Sequence, residues 1–115
     1  MSQTGTFYKE EARMALARRD LKKALENYQN HCLLEPNDLR SRLKLGEVLE
    51  RLGRKEEAVK AYRGVAEAYA EEGYLLQAIS VSKIILRIDP SLKEVYDRLA
   101  QLYIEKTGER SPLQT

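Results

Sequence analysis

The sequence has 115 residues, 43% of them hydrophobic and 33% charged, with a net charge of +2. That length fits one domain with a single core, the balance is that of a folded rather than a disordered chain, and so small a charge argues for neither nucleic acid nor membrane as a partner. Cys32 is the single cysteine, which excludes an intrachain disulfide or a cysteine-built zinc cluster.

The positive excess is local. Residues 39–60 carry seven Lys and Arg against four Asp and Glu, whereas residues 61–115 carry seven against eight. Met1 to Tyr8 is polar and lacks the apolar core of a signal peptide. The longest apolar run, Ile84 to Leu86, is far too short to span a bilayer. The expected setting is reducing and cytoplasmic.

In chain order, residues 1–5 are expected to fray. Thr6 is placed to cap a first helix to about Arg18, with Phe7, Ala12, Ala15 and Leu16 on its apolar face. Asp20 should cap a second helix over about Leu21 to Leu34, where Leu21, Ala24, Leu25, Tyr28 and Cys32 form one stripe. The run Glu35-Pro36-Asn37-Asp38 stops it, because the residue before a proline resists the helical well and Asn and Asp favour turns and caps.

The third helix runs over about Leu39 to Leu52, with Leu45, Val48, Leu49 and Leu52 at helical spacing. Gly46 in its middle costs about 1 kcal/mol against Ala, which makes sense where another backbone packs closely. Gly53 permits the left-handed exit. The fourth helix, about Lys55 to Glu72, buries Ala58, Ala61, Tyr62, Val65, Ala66 and Tyr69, and Gly73 ends it. The fifth, about Tyr74 to Ile88, is apolar almost all round and should be buried on several sides. Asp89-Pro90 stops it. Ser91 and Glu94 spell a capping box for a sixth helix to about Lys106, lined inward by Val95, Tyr96, Leu99, Leu102 and Tyr103. Residues 107–115, with Gly108 and Pro112, are expected to be a flexible tail or linker.

Self-similarity organises this list. Ala24 and Tyr28 recur 34 residues later as Ala58 and Tyr62, and Ala12 and Ala15 align with Gly46 and Leu49. The best copy is Leu45-Gly46, Leu49, Gly53, Ala58 and Tyr62; another is Val65-Ala66, Tyr69, Ala78, Ile85 and Pro90; a third begins at Tyr96, Leu99-Ala100 and Tyr103. A 34-residue helix–turn–helix period with small residues at these points resembles the tetratricopeptide repeat (TPR) family, over roughly residues 5–106. Two departures stand out. Glu11 replaces the usual leucine of the first copy, and the step from Ala58 to Ala78 is 20 residues rather than 34. The resemblance therefore implies an all-α, TPR-like α-solenoid of antiparallel helix–turn–helix repeats over residues 6–106. It has about six helices, the fourth serving two overlapped repeats. One hairpin cannot bury its apolar face alone, so neighbours stack. Glu94, Asp97, Arg98, Gln101 and Glu105 make the outer face of the sixth helix polar enough to end the stack.

A search for chemistry yields little. No Gly-x-x-x-x-Gly-Lys phosphate loop occurs. His31 and Cys32 are adjacent and so point about 100° apart on a helix, which does not make a catalytic pair. Cys32 fits a small core position, and His31 a packing or rim position. Glu56-Glu57 suits the positive end of the fourth helix, and the tyrosines suit core and groove-edge places. No enzyme activity, metal or cofactor is implied.

In TPR proteins the first helix of each hairpin lines the groove that grips a partner. The resemblance puts Lys9, Arg13, Arg40, Leu43, Lys44, Glu47 and Arg51 on or near that groove, with Leu45, Gly46, Ala58, Tyr62, Ala66, Tyr69, Ala78 and Pro90 as structural repeat positions. The basic members suit an acidic side chain or carboxylate. One subfamily clamps the terminal carboxylate of heat-shock chaperones with Lys and Asn. Lys9 fits that clamp, but Arg13 and Lys44 replace the asparagines, so that clamp is not expected. The resemblance implies a bacterial-type, non-catalytic adaptor or scaffold with a protein or peptide partner. A secretion-type chaperone and a self-associating homo-oligomeric module are the alternatives. The span from Tyr62 to Pro90 also resembles TPR segments that precede a regulatory or signalling domain.

Overall fold

The computed structural model describes residues 5–108. These residues form α1 (Gly5–Ala17), α2 (Leu21–Leu34), α3 (Leu39–Arg51), α4 (Lys55–Glu71), α5 (Leu75–Ile88) and α6 (Lys93–Thr107), with no strand among them. The helices begin and end within about two residues of the sequence expectation. The fold is all-α and built of helical repeats. The expected tail beyond Gly108 and the first four residues lie outside the described residues.

The turns explain the boundaries. After α1, Asp20 N–H bonds Ala15 O at 2.9 Å and Arg19 N–H bonds Leu16 O at 2.9 Å. After α3, Arg54 N–H bonds Leu49 O and Gly53 N–H bonds Glu50 O; after α4, Tyr74 N–H bonds Tyr69 O and Gly73 N–H bonds Ala70 O. Each is a Schellman closure around one left-handed residue. Two of those residues are glycine (Gly53, φ 78°; Gly73, φ 86°), and the third is Arg19, φ 61°. Asp20 caps α2 by accepting from Lys23 N–H at 3.1 Å, as its position suggested.

Two expected caps fail. Thr6 lies inside α1, which already begins at Gly5. The capping box at Ser91 does not form: α6 is preceded by Leu92, and Ser91 turns back instead. Its N–H and Oγ–H both donate to Asp89 Oδ1, at 3.0 and 2.6 Å. A carboxylate two residues upstream is a stronger acceptor than the backbone it would have capped.

The chain divides into two compact units, residues 1–61 and 62–115. In the first, α1 packs on α2 and α2 on α3. Ala12, Ala15 and Ala24 are fully buried, which lets the helices approach closely, and Leu25, Tyr28, Val48, Leu49 and Ala58 complete the core. In the second, α5 packs on α6, and Tyr69 and Ala70 of α4 lie against Ala78, Ile79 and Leu102.

The two units repeat one motif. The start of α5 lies 54 residues after that of α2, at Leu21 and Leu75, and the start of α6 lies 54 after that of α3, at Leu39 and Lys93. Buried positions follow the same step: Ala12 and Ala66, Ala24 and Ala78, Leu25 and Ile79, His31 and Ile85, Ser41 and Val95, Val48 and Leu102. In this register α4 holds the place of α1, as the overlapped repeat requires. The difference lies in chemistry. Where the first unit buries Asn27, His31 and Ser41, the second buries Val81, Ile85 and Val95.

Burial corrects several expected apolar faces. Phe7 is exposed, Leu76 is 60% exposed, and α5 is buried on one broad stripe rather than on several sides. Tyr96 and Tyr103, expected inside, are exposed, and Lys83 sits over the Tyr103 ring at 5.6 Å. His31, not Cys32, is the buried member of its pair; Cys32 is half-buried. Part of the outer polar face of α6 is also tied down, since Glu94 and Arg98 bind α4.

Candidate functional site

The feature that organises the first unit is Asp38. It ends the Pro36-containing loop and caps α3, accepting Ser41 N–H at 3.2 Å on Oδ1 and Ser41 Oγ–H at 2.8 Å on Oδ2. The same Oδ2 lies 2.7 Å from His31 Nε2 on α2 and 3.2 Å from Lys9 Nζ on α1. One carboxylate thus ties three helices. Its partial burial would push its pKa up. The hydrogen bonds from His31, Ser41 and Lys9 outweigh that and hold it well below the usual carboxylate range.

Beside this hub lies a cleft of about 470 Å³. Lys9 and Arg13 of α1, Tyr28 of α2, and Arg40, Ser41, Leu43, Lys44 and Glu47 of α3 line it. Every groove candidate from the sequence stands here except Arg51, which is exposed but not among the lining residues. Tyr28 and Ser41 join them without having been singled out for the groove. Tyr28 is 2% exposed; burial raises its pKa, Arg13 opposing, so it presents a neutral phenol. Asp38 and Ser41 were detectable in principle, since an Asp ahead of a helix with a hydroxyl three residues on is a capping signature.

The cations of the cleft are unequally occupied. Lys9 is held by Asp38, and Lys44 sits 3.5 Å from Glu47 on its own helix. Arg13 reaches only Glu10, at 3.3 Å, with both side chains more than half exposed. Arg40 is exposed and makes no ion pair among the described residues. Exposed pairs of this kind are worth about 0–1 kcal/mol, so an incoming carboxylate can displace them.

Two other concavities exist. One of about 420 Å³, lined by Cys32, Pro36, Arg42, Leu45, Leu49, Glu57, Lys60 and Ala61, mixes charges without focus. The Cys32 thiol on its edge has its pKa pushed up, first by burial and then by Asp38, the opposite of an activated nucleophile. The third, about 150 Å³, lies in the second unit between Arg63, Ala66, Glu67, Ser82, Ile85, Glu94, Val95 and Arg98. Ion pairs cross it: Arg63 to Glu94 at 2.6 Å, and Arg98 to both carboxylate oxygens of Glu67 at 2.9 and 3.0 Å. Among the described residues no cluster of three or more His, Cys, Asp and Glu could hold a metal, and no helix is long and apolar enough to cross a membrane.

Of the structural repeat positions, Gly46, Ala58, Tyr62, Ala66 and Ala78 are buried, Leu45 and Tyr69 half-buried, and Pro90 exposed.

The family model for the tetratricopeptide repeat matches residues 40–71. No curated protein matches the chain. Among solved structures, a tetratricopeptide repeat protein from Parabacteroides merdae ATCC 43184 is 21% identical with a TM-score of 0.52, over 92% of this chain and 48% of that one. The MamA protein is 20% identical with a TM-score of 0.48, over 95% of this chain and 67% of that one. The first TPR of Spaghetti (RPAP3), bound to the HSP90 peptide SRMEEVD, is 16% identical with a TM-score of 0.48, over 93% of this chain and 96% of that one. This chain thus spans about half the length of the Parabacteroides protein, and the likeness at these identities is one of fold. Residues 40–71 are a tetratricopeptide repeat, set in a chain that has the fold of tetratricopeptide repeat proteins.

Proposed function

We propose that the chain is a protein-interaction module whose cleft at Lys9, Arg13, Tyr28, Arg40, Leu43 and Lys44 receives an acidic segment of a partner protein. The tetratricopeptide repeat fold is in general a fold for protein–protein interaction, and residues 40–71 carry the repeat. The observation that supports this cleft is Arg40: an exposed guanidinium with no intramolecular carboxylate among the described residues, at the rim of a concavity with cations on two helices. A guanidinium recognises a carboxylate through two parallel hydrogen bonds, which gives direction as well as charge. Leu43 and the ring of Tyr28 supply apolar surface between the charges. Helices α1, α2 and α3 hold the cleft through Asp38, so little ordering entropy is lost on binding. Such a module acts by holding its partner, as an adaptor or scaffold does.

The test is capture with residues 1–115 beside the charge-reversed pair Arg40→Glu with Lys44→Glu, both checked for equal helicity. Proteins retained by the native chain and lost by the variant support the cleft. Proteins retained equally by both move the interaction to another face.

A further inference from the structure

The cleft in the first unit and the cleft in the second are lined by the same positions of the repeated motif. Arg63, Glu67, Glu94 and Arg98 each lie 54 residues after Lys9, Arg13, Arg40 and Lys44, and all eight line their respective clefts. Ser82 replaces Tyr28 and Val95 replaces Ser41 in the same register. The backbone frames match, because the helices that carry these residues start at the same step.

The charges differ in a defined way. Two of the four positions keep their sign: Lys9 and Arg63 are basic, as are Lys44 and Arg98. The other two reverse: Arg13 becomes Glu67, and Arg40 becomes Glu94. In the second cleft the reversed residues neutralise the retained ones, Glu94 on Arg63 and Glu67 on Arg98. In the first cleft the retained cations find other acids. Lys9 is answered by Asp38, whose counterpart is Leu92; Lys44 is answered by Glu47, whose counterpart is Gln101. That leaves Arg13 and Arg40, the two positions that hold carboxylates in the other cleft. Arg13 has only its exposed contact with Glu10, and Arg40 has no ion pair among the described residues.

We propose that the two clefts are one recognition architecture in two charge states: the first takes a segment bringing two carboxylates, for Arg13 and Arg40, and the second is already filled by Glu67 and Glu94 of the chain itself. This rests on the first cleft being a binding site. The consequence is a module with one acidic-segment site per chain, and a ligand class narrower than "acidic": two carboxylates set far enough apart to reach α1 and α3 at once. A single terminal carboxylate satisfies only one of the two arginines.

The experiment exchanges the charges. The probe is blocked, fluorescein-labelled hexaglutamate, with hexaglutamine as its neutral control, titrated by anisotropy at low salt with stoichiometry by calorimetry. The native chain should bind one hexaglutamate, and hexaglutamine should bind at least about tenfold more weakly, the loss expected for one charge-assisted hydrogen bond. Arg13→Glu with Arg40→Glu lets the first cleft neutralise itself and should cost at least about tenfold in affinity. Glu67→Arg with Glu94→Arg gives the second cleft the charges of the first and should raise the stoichiometry from one to two. Circular dichroism and urea midpoints confirm that each variant is folded; a Gln pair at 67 and 94 stands in if the Arg pair does not fold, and should bind the second probe more weakly but measurably. Native affinity that Arg13→Glu with Arg40→Glu leaves unchanged overturns the proposal. So does a folded Glu67→Arg, Glu94→Arg chain that still binds a single probe. No binding of hexaglutamate by the native chain overturns the two-carboxylate assignment, while the capture experiment with Arg40→Glu and Lys44→Glu tests the interaction site independently.

Discussion

His31 Nε2 lies 2.7 Å from Asp38 Oδ2, and 54 residues later the same two places are held by Ile85 and Leu92. One motif therefore solves its α2–α3 junction with a polar network in the first unit and with hydrocarbon in the second. Removing one partner of such a network is costly, because the others stay behind without it; replacing all of them is not. His31→Ala should destabilise the chain by about 2–3 kcal/mol through an emptied site and a weakened Asp38. The triple change His31→Ile, Asp38→Leu and Ser41→Val copies the second unit and should stay within about 1 kcal/mol of the native chain. Urea unfolding of the single and triple variants measures both, and a triple variant as weak as the summed singles would reject the equivalence.

The charge on Asp38 makes stability depend on pH. Its pKa is lower in the folded chain than its ordinary value of 3.8, so its contribution is complete above that value and is lost as pH falls below it. Asp38→Asn should cost most at pH 5 to 7, and its gap from the native chain should close on acidification from about pH 4 to 2. Urea midpoints across that range test the sign. A gap that widens in acid would show that Asp38 is not the carboxylate responsible. Near neutrality, loss of the cap and of the His31 contact together predicts about 2 kcal/mol for Asp38→Ala.

Arg19 does the work that Gly53 and Gly73 do at the other two Schellman turns, with φ at 61° where theirs are 78° and 86°. A side chain in that conformation costs about 1 kcal/mol or more. Arg19→Gly should therefore be neutral or stabilising by up to about 1 kcal/mol, the looser unfolded chain returning part of the gain. Gly53→Ala meets no atom within 4 Å, so its cost is conformational alone, about 1 kcal/mol. Thermal melts of the two variants should move in opposite directions or, at the least, differ clearly.

The ion pairs across the second cleft are expected to add little stability. Arg98 and Glu67 are 31% and 53% exposed, in a range where measured pairs give about 0–1 kcal/mol. Arg98→Ala should lower stability by less than about 1 kcal/mol at moderate salt, and the difference should shrink further in high salt. A cost of several kcal/mol would mean that the pair braces the helices rather than merely filling the cleft.

The helices were legible because their signals are local. Asp20, the glycines at 53 and 73 and the proline at 36 act within one turn of themselves, and each ends or starts a helix where expected. The buried alanines were legible because a small residue in an apolar stripe marks a close approach: Ala12, Ala15, Ala24, Ala58 and Ala78 are all fully buried. What failed needed information from elsewhere in the chain. Tyr96 and Tyr103 sit at stripe positions of α6 as good as those of Val95 and Leu102, but a stripe does not say how much of it a neighbour covers. Ser91 had two acceptors to choose between, and the choice fell to Asp89. For the cleft, the sequence placed six of its lining residues. Asp38 was visible only as a turn former, because its contacts with Lys9 and His31 join positions 29 and 7 residues away. The 54-residue step was hidden for a related reason: the first unit writes its core in polar residues and the second in apolar ones, so the same frame shows little identity.

Contacts in both units run chiefly between helices adjacent in the chain: α1 with α2, α2 with α3, α5 with α6. Such a map has short loops to close before contacts form, and helical proteins of low contact order fold in about microseconds to milliseconds. Each unit can thus nucleate from its own neighbours, without waiting for a distant segment to arrive. Refolding should be fast, and the slow steps typical of long-range strand pairing have no counterpart among the described residues.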